Sequence, residues 1–175
     1  LACPAWTVAD VAAHIVGVPE DIVAGRMEGV TTEAWTQAQV DRHRGVSPRD
    51  LAERLERTAE SFDAILPHIP SPVNSQMVMD AVTHELDIRS AIGNSEFRQT
   101  SAVEVALGWL LQTASGKNAE LAASLAASKV DRYDLLRSLT GRRTVDQIDA
   151  VGLDANGIAR LLEGSPLRIP NSPVE

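Results

Sequence analysis

Apolar residues recur along this chain at three- and four-residue spacing, and capping residues bound most of the runs. Val8, Val11, Ile15 and Val18 follow Thr7 and Asp10, a hydroxyl and a carboxylate spaced as a capping box. This pattern predicts a first helix closed by Gly17 and Pro19, a short second piece over 20–28 and a more polar third over 32–43. Ser47-Pro48 starts another helix, because Pro at the first helical position gives up only an N–H that has no helical partner. Leu51, Leu55, Phe62, Ile65 and Leu66 form its apolar stripe, and Pro67 and Pro70 end it.

Residues 77–93, MVMDAVTHELDIRSAIG, read as a largely apolar helix that stops at Gly93. Ser101 opens the next, followed by Val105, Leu107, Trp109, Leu110 and Leu111. Over 114–130 the pattern admits a turn at SGKN and then either a helix or a short strand. Asp131 to Leu139 reads as helix with Gly141 as its C-cap, and two short helices follow, after Thr144 and over 154–162. The tail, SPLRIPNSPVE, is Pro-rich and reads as extended. The expected fold is mainly α: a helical bundle over 1–113 and a small C-terminal subdomain and tail over 114–175, α+β if the strand forms.

Composition agrees with this picture. A chain of 175 residues suits one compact domain, and few aromatics (3%) with many Ala and Leu favour helices. The formal charge of -8 opposes a phosphate backbone, so nucleic acid is excluded as an expected partner. No apolar run is long enough to span a bilayer and no signal-peptide pattern occurs, so no membrane partner is expected either. The single cysteine, Cys3, allows no intrachain disulfide, which fits a cytoplasmic setting. The chain opens on LACPAW without Met, and a preceding segment is expected.

The candidate chemistry lies within 77–93. On a helical wheel with His84 at zero, Asp80 falls at about -40° and Asp87 at about -60°, with Met77, Ala81, Ile88 and Ala91 within about 60°. One imidazole and two carboxylates therefore share a face with apolar neighbours. Asp80 and His84 are spaced i,i+4, the geometry with which one helix offers two ligands to a metal. A third ligand must come from elsewhere, and His14, beside Val11 and Val18, is the best candidate. Asp10, one turn earlier, could accept the other ring N–H of His14 and fix its tautomer. A His, His, Asp set with an open position suits zinc or a similar divalent ion. The competing reading of the same spacing is an Asp–His ion pair.

Three segments resemble a known family. CPAWTVADVAAHIVG is similar to the C-P-G-W-T-V-x-D-x-x-x-H-x-x-G motif of the mycothiol-dependent maleylpyruvate isomerase family, within the DinB-like superfamily. DAVTHELDIRSAIG resembles its second motif, an acid four residues before a His, then an acid and an Arg. RYDLLRSLTGRRTVDQI resembles a C-terminal signature of the actinobacterial branch. The resemblance implies a DinB-like antiparallel four-helix bundle with a divalent metal at one end. Its ligands, carried onto this sequence, are His14, Asp80 and His84. The family often has Glu where this chain has Asp80, one methylene shorter. It usually has a helix ahead of the first motif and a longer interval, often with strands, between the residues matching Gly93 and Asp131.

The resemblance also implies an activity: a transferase or isomerase in which a metal-bound thiolate of mycothiol attacks a small electrophile. The expected partners are that thiol and the electrophilic substrate, with the chain a monomer or homodimer. The alternative is a non-catalytic helical bundle that binds a metal or small ligand, with a regulatory role as one form of it. Arg142 and Arg143, between Gly141 and the next N-cap, could bind an anion, although a structural turn with solvated arginines is the preferred reading there. Cys3 reads as a small apolar contact, Trp6 as an anchor for the helix start, and His43 and His68 carry no assigned role.

Overall fold

The structure, a computed structural model, describes residues 6–174, so the readings placed on Cys3 fall outside the described residues. It is mainly α, and no strand occurs among the described residues. The chain forms two compact units that divide between Asn74 and Ser75. No helix of the described residues is long and apolar enough to cross a membrane.

The first unit contains α1 (Val8–Val23), α2 (Glu33–Arg42) and α3 (Pro48–Ile65), with α1 packed against both others. A single 3-10 turn, Leu66–His68, follows α3. The expected caps form. Thr7 and Asp10 make the reciprocal capping box of α1, Thr32 caps α2, and Ser47 caps α3 with Pro48 in the first turn. The end predicted for α1 does not form. The helix runs through Pro19 to Val23, and the segment expected as a second helical piece is a turn after Gly25. Proline inside a helix forfeits a hydrogen bond and clashes with the carbonyl four residues back, at a cost of about 3 kcal/mol. The compensation is tertiary: continuing the helix carries Glu20 and Asp21 to their partners on and beside α2.

Burial in this unit also departs from the simple stripe. Val11, Ala13, His14, Val16 and Asp21 are buried on α1, while Ile15 and Val18 are only half-buried. On α3, Leu51 alone is buried, and Leu55 stays exposed.

The second unit contains α4 (Val73–Ala91, from Ser75 onward), α5 (Ser101–Lys117), α6 (Ala119–Ala127), α7 (Arg132–Leu139), α8 (Val145–Ala150) and α9 (Ala155–Leu162). Its core joins Met79, Val82 and Leu86 of α4 with Val103, Ala106, Leu107 and Leu110 of α5, Leu135 and Leu136 of α7, and Ile148 and Ile158 of α8 and α9. The SGKN segment does not turn before Lys117: α5 runs through it, and Asn118 then caps α6, which resolves the helix-or-strand choice as helix. Lys117 donates to the carbonyls of Leu161 and Glu163 (2.7 and 2.9 Å), satisfying acceptors at the end of α9.

Gly141 ends α7 as expected, with φ at +72°. Its N–H donates to Ser138 O and that of Arg142 to Arg137 O, the paired bonds of a Schellman turn. A side chain on Gly141 would collide with the backbone carbonyl of Arg168 in the tail. Gly141→Ala is expected to destabilise the protein by more than the roughly 1–2 kcal/mol of a left-handed non-glycine residue, since the collision adds to it. The urea midpoint of the variant against the wild type checks this.

Candidate functional site

In the first unit a chain of buried polar groups starts at Asp21. Its Oδ1 receives Arg26 Nε at 2.6 Å and lies 2.7 Å from Arg42 Nη1, and its Oδ2 accepts from Gln39 Nε2 at 2.9 Å. Gln39 Oε1 in turn lies 2.7 Å from His14 Nδ1. His14, Asp21 and Gln39 are all buried. Burial would raise the Asp21 carboxyl, but the bonds from Gln39, Arg42 and Arg26 outweigh it and hold it below the ordinary aspartate value.

Local sequence explains how these groups meet. Gly25 reverses the chain after α1, and the backbone N–H of Arg26 returns to Asp21 O at 2.8 Å, which places the guanidinium beside the Asp21 carboxylate. Gly17 lets Gln39 lie against α1, since a Cβ there would sit 2.7 Å from Gln39 Cγ. The Trp6 ring stands 5.5 Å from that of His14, tilted at 54°.

Asp10 does not take the role expected for it. Its carboxylate accepts from the backbone N–H and hydroxyl of Thr7, bonds that hold its carboxyl below the ordinary value. The group on His14 Nδ1 is instead Gln39, 25 residues away and invisible to a spacing argument. His43, given no role from sequence, is buried at the end of α2, with Nδ1 2.9 Å from Gln39 O and Nε2 3.0 Å from Glu20 Oε2.

In the second unit the wheel's polar face forms as drawn. His84 Nδ1 lies 3.1 Å from Asp87 Oδ2, and His84 Nε2 lies 3.7 Å from Asp80 Oδ1, beyond hydrogen-bond length. The core packs on the other side of α4, through Met79, Val82 and Leu86, rather than beside His84. The apolar neighbours counted within the His84 sector are half-buried (Met77, Ile88) or exposed (Ala81, Ala91).

Asp87 is enclosed. Arg137 Nη2 reaches its Oδ1 at 2.6 Å, and Arg142 reaches Oδ1 through Nε at 3.3 Å and Oδ2 through Nη2 at 2.9 Å. Burial would raise this carboxyl strongly. The His84 bond and the two guanidinium charges overcome that and keep it well below the usual carboxylate range. Each arginine also donates to backbone: Arg137 to Thr83 O at 3.2 Å and Arg142 to Thr140 O at 2.6 Å.

The two arginines singled out after Gly141 therefore separate. Arg142 is buried and committed to Asp87, so the solvated-turn reading does not describe it. Arg143 pairs with Asp134 at 3.0 Å beside the Tyr133 ring. Arg137 was missed. It is wholly buried, and its polar partners lie 50 and 54 residues away. The one available signal was an Arg inside the apolar run of DRYDLLRSL.

Within the second unit the structure brings together Asp80, His84, Asp87 and Arg142, and within the first it brings together His14, Gln39 and Asp21. No family model matches this chain, and neither the curated proteins nor the solved structures yield a significant match.

Three outcomes are expected. Asp87→Asn leaves buried guanidinium groups without their counter-charge and should cost about 3–5 kcal/mol in urea unfolding. Arg49→Met, at an exposed i,i+4 pair, should leave the midpoint unchanged. Asp21 has a lowered folded pKa, so its contribution is fully present above the unfolded value of about 3.9 and is lost as pH falls through the folded one. Stability measured from pH 5 downward should fall less steeply in Asp21→Asn than in the wild type.

Proposed function

We propose that this protein is a metal-dependent, thiol-dependent transferase or isomerase acting on a small electrophile. In this reading His14, Asp80 and His84 bind a divalent ion, zinc by donor type, and mycothiol is the thiol, as the family resemblance implies. The observation that carries the reading is the bond between His84 and Asp87. Asp87 is ionised and can only accept, so His84 Nδ1 carries a hydrogen, and the lone pair of the uncharged form of the ring stands at Nε2. A carboxylate behind an imidazole is the usual partner of a metal-ligating histidine, since it fixes the tautomer and raises ligand basicity.

The donor chemistry fits a divalent ion. His14, Asp80 and His84 each offer one ligand atom, and two imidazoles with one carboxylate leave a fourth position for a reacting ligand. When bound, such an ion lowers the pKa of a coordinated thiol so that the thiolate is present at neutral pH. The chain's own residues do the holding. Asp87 orients the His84 ring, and Arg137 and Arg142 keep Asp87 from turning away. Asp80, one turn before His84, adds a negative charge beside Nε2.

A second reading, favoured by the exposure of Asp80 (39% of its side chain), makes Asp80 and His84 a helix-surface ion pair with no metal. Elemental analysis of tag-free protein separates the two. About one zinc or similar ion per chain, lost in both His14→Ala and His84→Ala, is the expected result. A folded wild type that holds no metal and takes up no added zinc leaves only the ion pair. Mycothiol conjugation to a panel of small electrophiles then divides an enzyme from a binding module: turnover should depend on the metal and vanish in His84→Ala.

A further inference from the structure

We propose that Gln39 is a positioning residue that fixes His14 as its Nδ1–H tautomer, by passing the hydrogen-bond polarity of buried Asp21 through its amide. The tautomer follows from bookkeeping of donors and acceptors. Asp21 receives Arg26 and Arg42 on one oxygen and is an acceptor only. The group that Gln39 turns toward the other oxygen must then be its NH2, at 2.9 Å. That orientation leaves the amide oxygen facing His14 Nδ1 at 2.7 Å, so the ring nitrogen must donate. A neutral His14 consequently carries its lone pair on Nε2. A histidine free in water prefers the opposite arrangement, so the relay reverses an intrinsic bias.

The amide has little freedom to choose otherwise. Gln39 is fully buried, its side chain lies against Gly17, and its own carbonyl lies 2.9 Å from His43 Nδ1. Turning the amide over would set its oxygen against the Asp21 carboxylate and its NH2 against the His14 ring, which costs at least one buried hydrogen bond. Arg26 and Arg42 matter at one remove, because they keep Asp21 an acceptor. The relay thus supplies to His14, through a neutral amide, what Asp87 supplies directly to His84. The consequence for metal affinity rests on the metal reading given above, whereas the tautomer does not.

The test is long-range proton–nitrogen NMR of the histidine rings in the metal-free full chain, beside zinc titration. The expected spectrum shows His14 with its hydrogen on Nδ1 at a pH where the ring is neutral. A wild-type His14 with its hydrogen on Nε2 overturns the proposal, whatever the metal result. In Gln39→Met the tautomer should become mixed and zinc affinity should fall by about 10–100-fold, the usual cost of losing a group that orients a ligand. A folded Gln39→Met with the wild-type tautomer and wild-type affinity overturns it too. Should that variant not fold, Asp21→Asn serves, because it frees the amide to turn. Adding Gln39→Glu to Asp21→Asn reverses that bond, with the amide at position 21 donating to a carboxylate at position 39 whose other oxygen faces His14, and should restore the Nδ1–H signal. Failure of that rescue in a folded double variant counts against the relay. A wild type with the Nδ1–H tautomer but no zinc uptake supports the relay and removes the metal reading.

Discussion

A carboxylate shut away from water must be matched in both charge and hydrogen bonds, and Asp87 imposes that requirement on the whole second unit. Its partners, Arg137 and Arg142, come from α7 and from the turn behind it, 50 and 55 residues along the chain. Both arginines also bond the backbone, at Thr83 and Thr140, so the ionic group ties α4 to α7 through main chain as well as side chain. Three buried charges are a poor source of net stability, because desolvation consumes most of the Coulombic gain. Their value is specificity. With either arginine displaced, a buried charge is left unmatched, so α4 has one rotation and one depth at which the cluster closes. That rotation sets His84 beside Asp87 and directs the core-facing residues Met79, Val82 and Leu86 to the other side.

The first unit meets a similar requirement with the same kind of turn, although there the arginine serves a carboxylate on its own helix. Asp21 is buried near the end of α1, and Arg26 returns to it after Gly25. In the second unit Arg142 returns to Asp87 after Gly141. In both turns the glycine takes a left-handed conformation, the arginine that follows closes the turn with its backbone N–H, and the guanidinium is carried back over the helix end. Each cluster then acts on a histidine, His84 directly and His14 through Gln39. The two imidazoles thus face acceptors of different kinds. One is a charged oxygen, and the other is an amide oxygen polarised by a charge one residue further away. An amide in that place holds the ring without adding a second formal charge beside it.

Most helix starts were legible because each depends on a few adjacent residues, although α4 begins at Val73, ahead of the segment read as helix. Thr7, Thr32, Ser47, Asp131, Thr144 and Asp154 all cap the helices that follow them, as their side-chain chemistry requires. Helix ends were less so. Pro19 reads locally as a stop, but the helix continues because the turn beyond it delivers Glu20 and Asp21 to partners that only the packed unit supplies. SGKN reads as a turn, yet α5 absorbs all but its asparagine, which becomes the cap of α6. The polar face of α4 was readable from a 100° wheel, because Asp80, His84 and Asp87 are near neighbours on one helix. Asp10 was misjudged because proximity along α1 was taken as reach, whereas its carboxylate already serves the N-terminal cap.

What the sequence determined by itself was the helical class, most of the caps, and the placing of Asp80, His84 and Asp87 on one face of α4. These follow from interactions within a turn or two of chain, for which spacing is enough. Only the tertiary structure decided which residues complete them. Gln39 behind His14, and Arg137 and Arg142 around Asp87, lie 25 to 55 residues away from the groups they bond. No periodicity links such partners. They are chosen when packing removes water from a charge and leaves one arrangement in which every donor meets an acceptor.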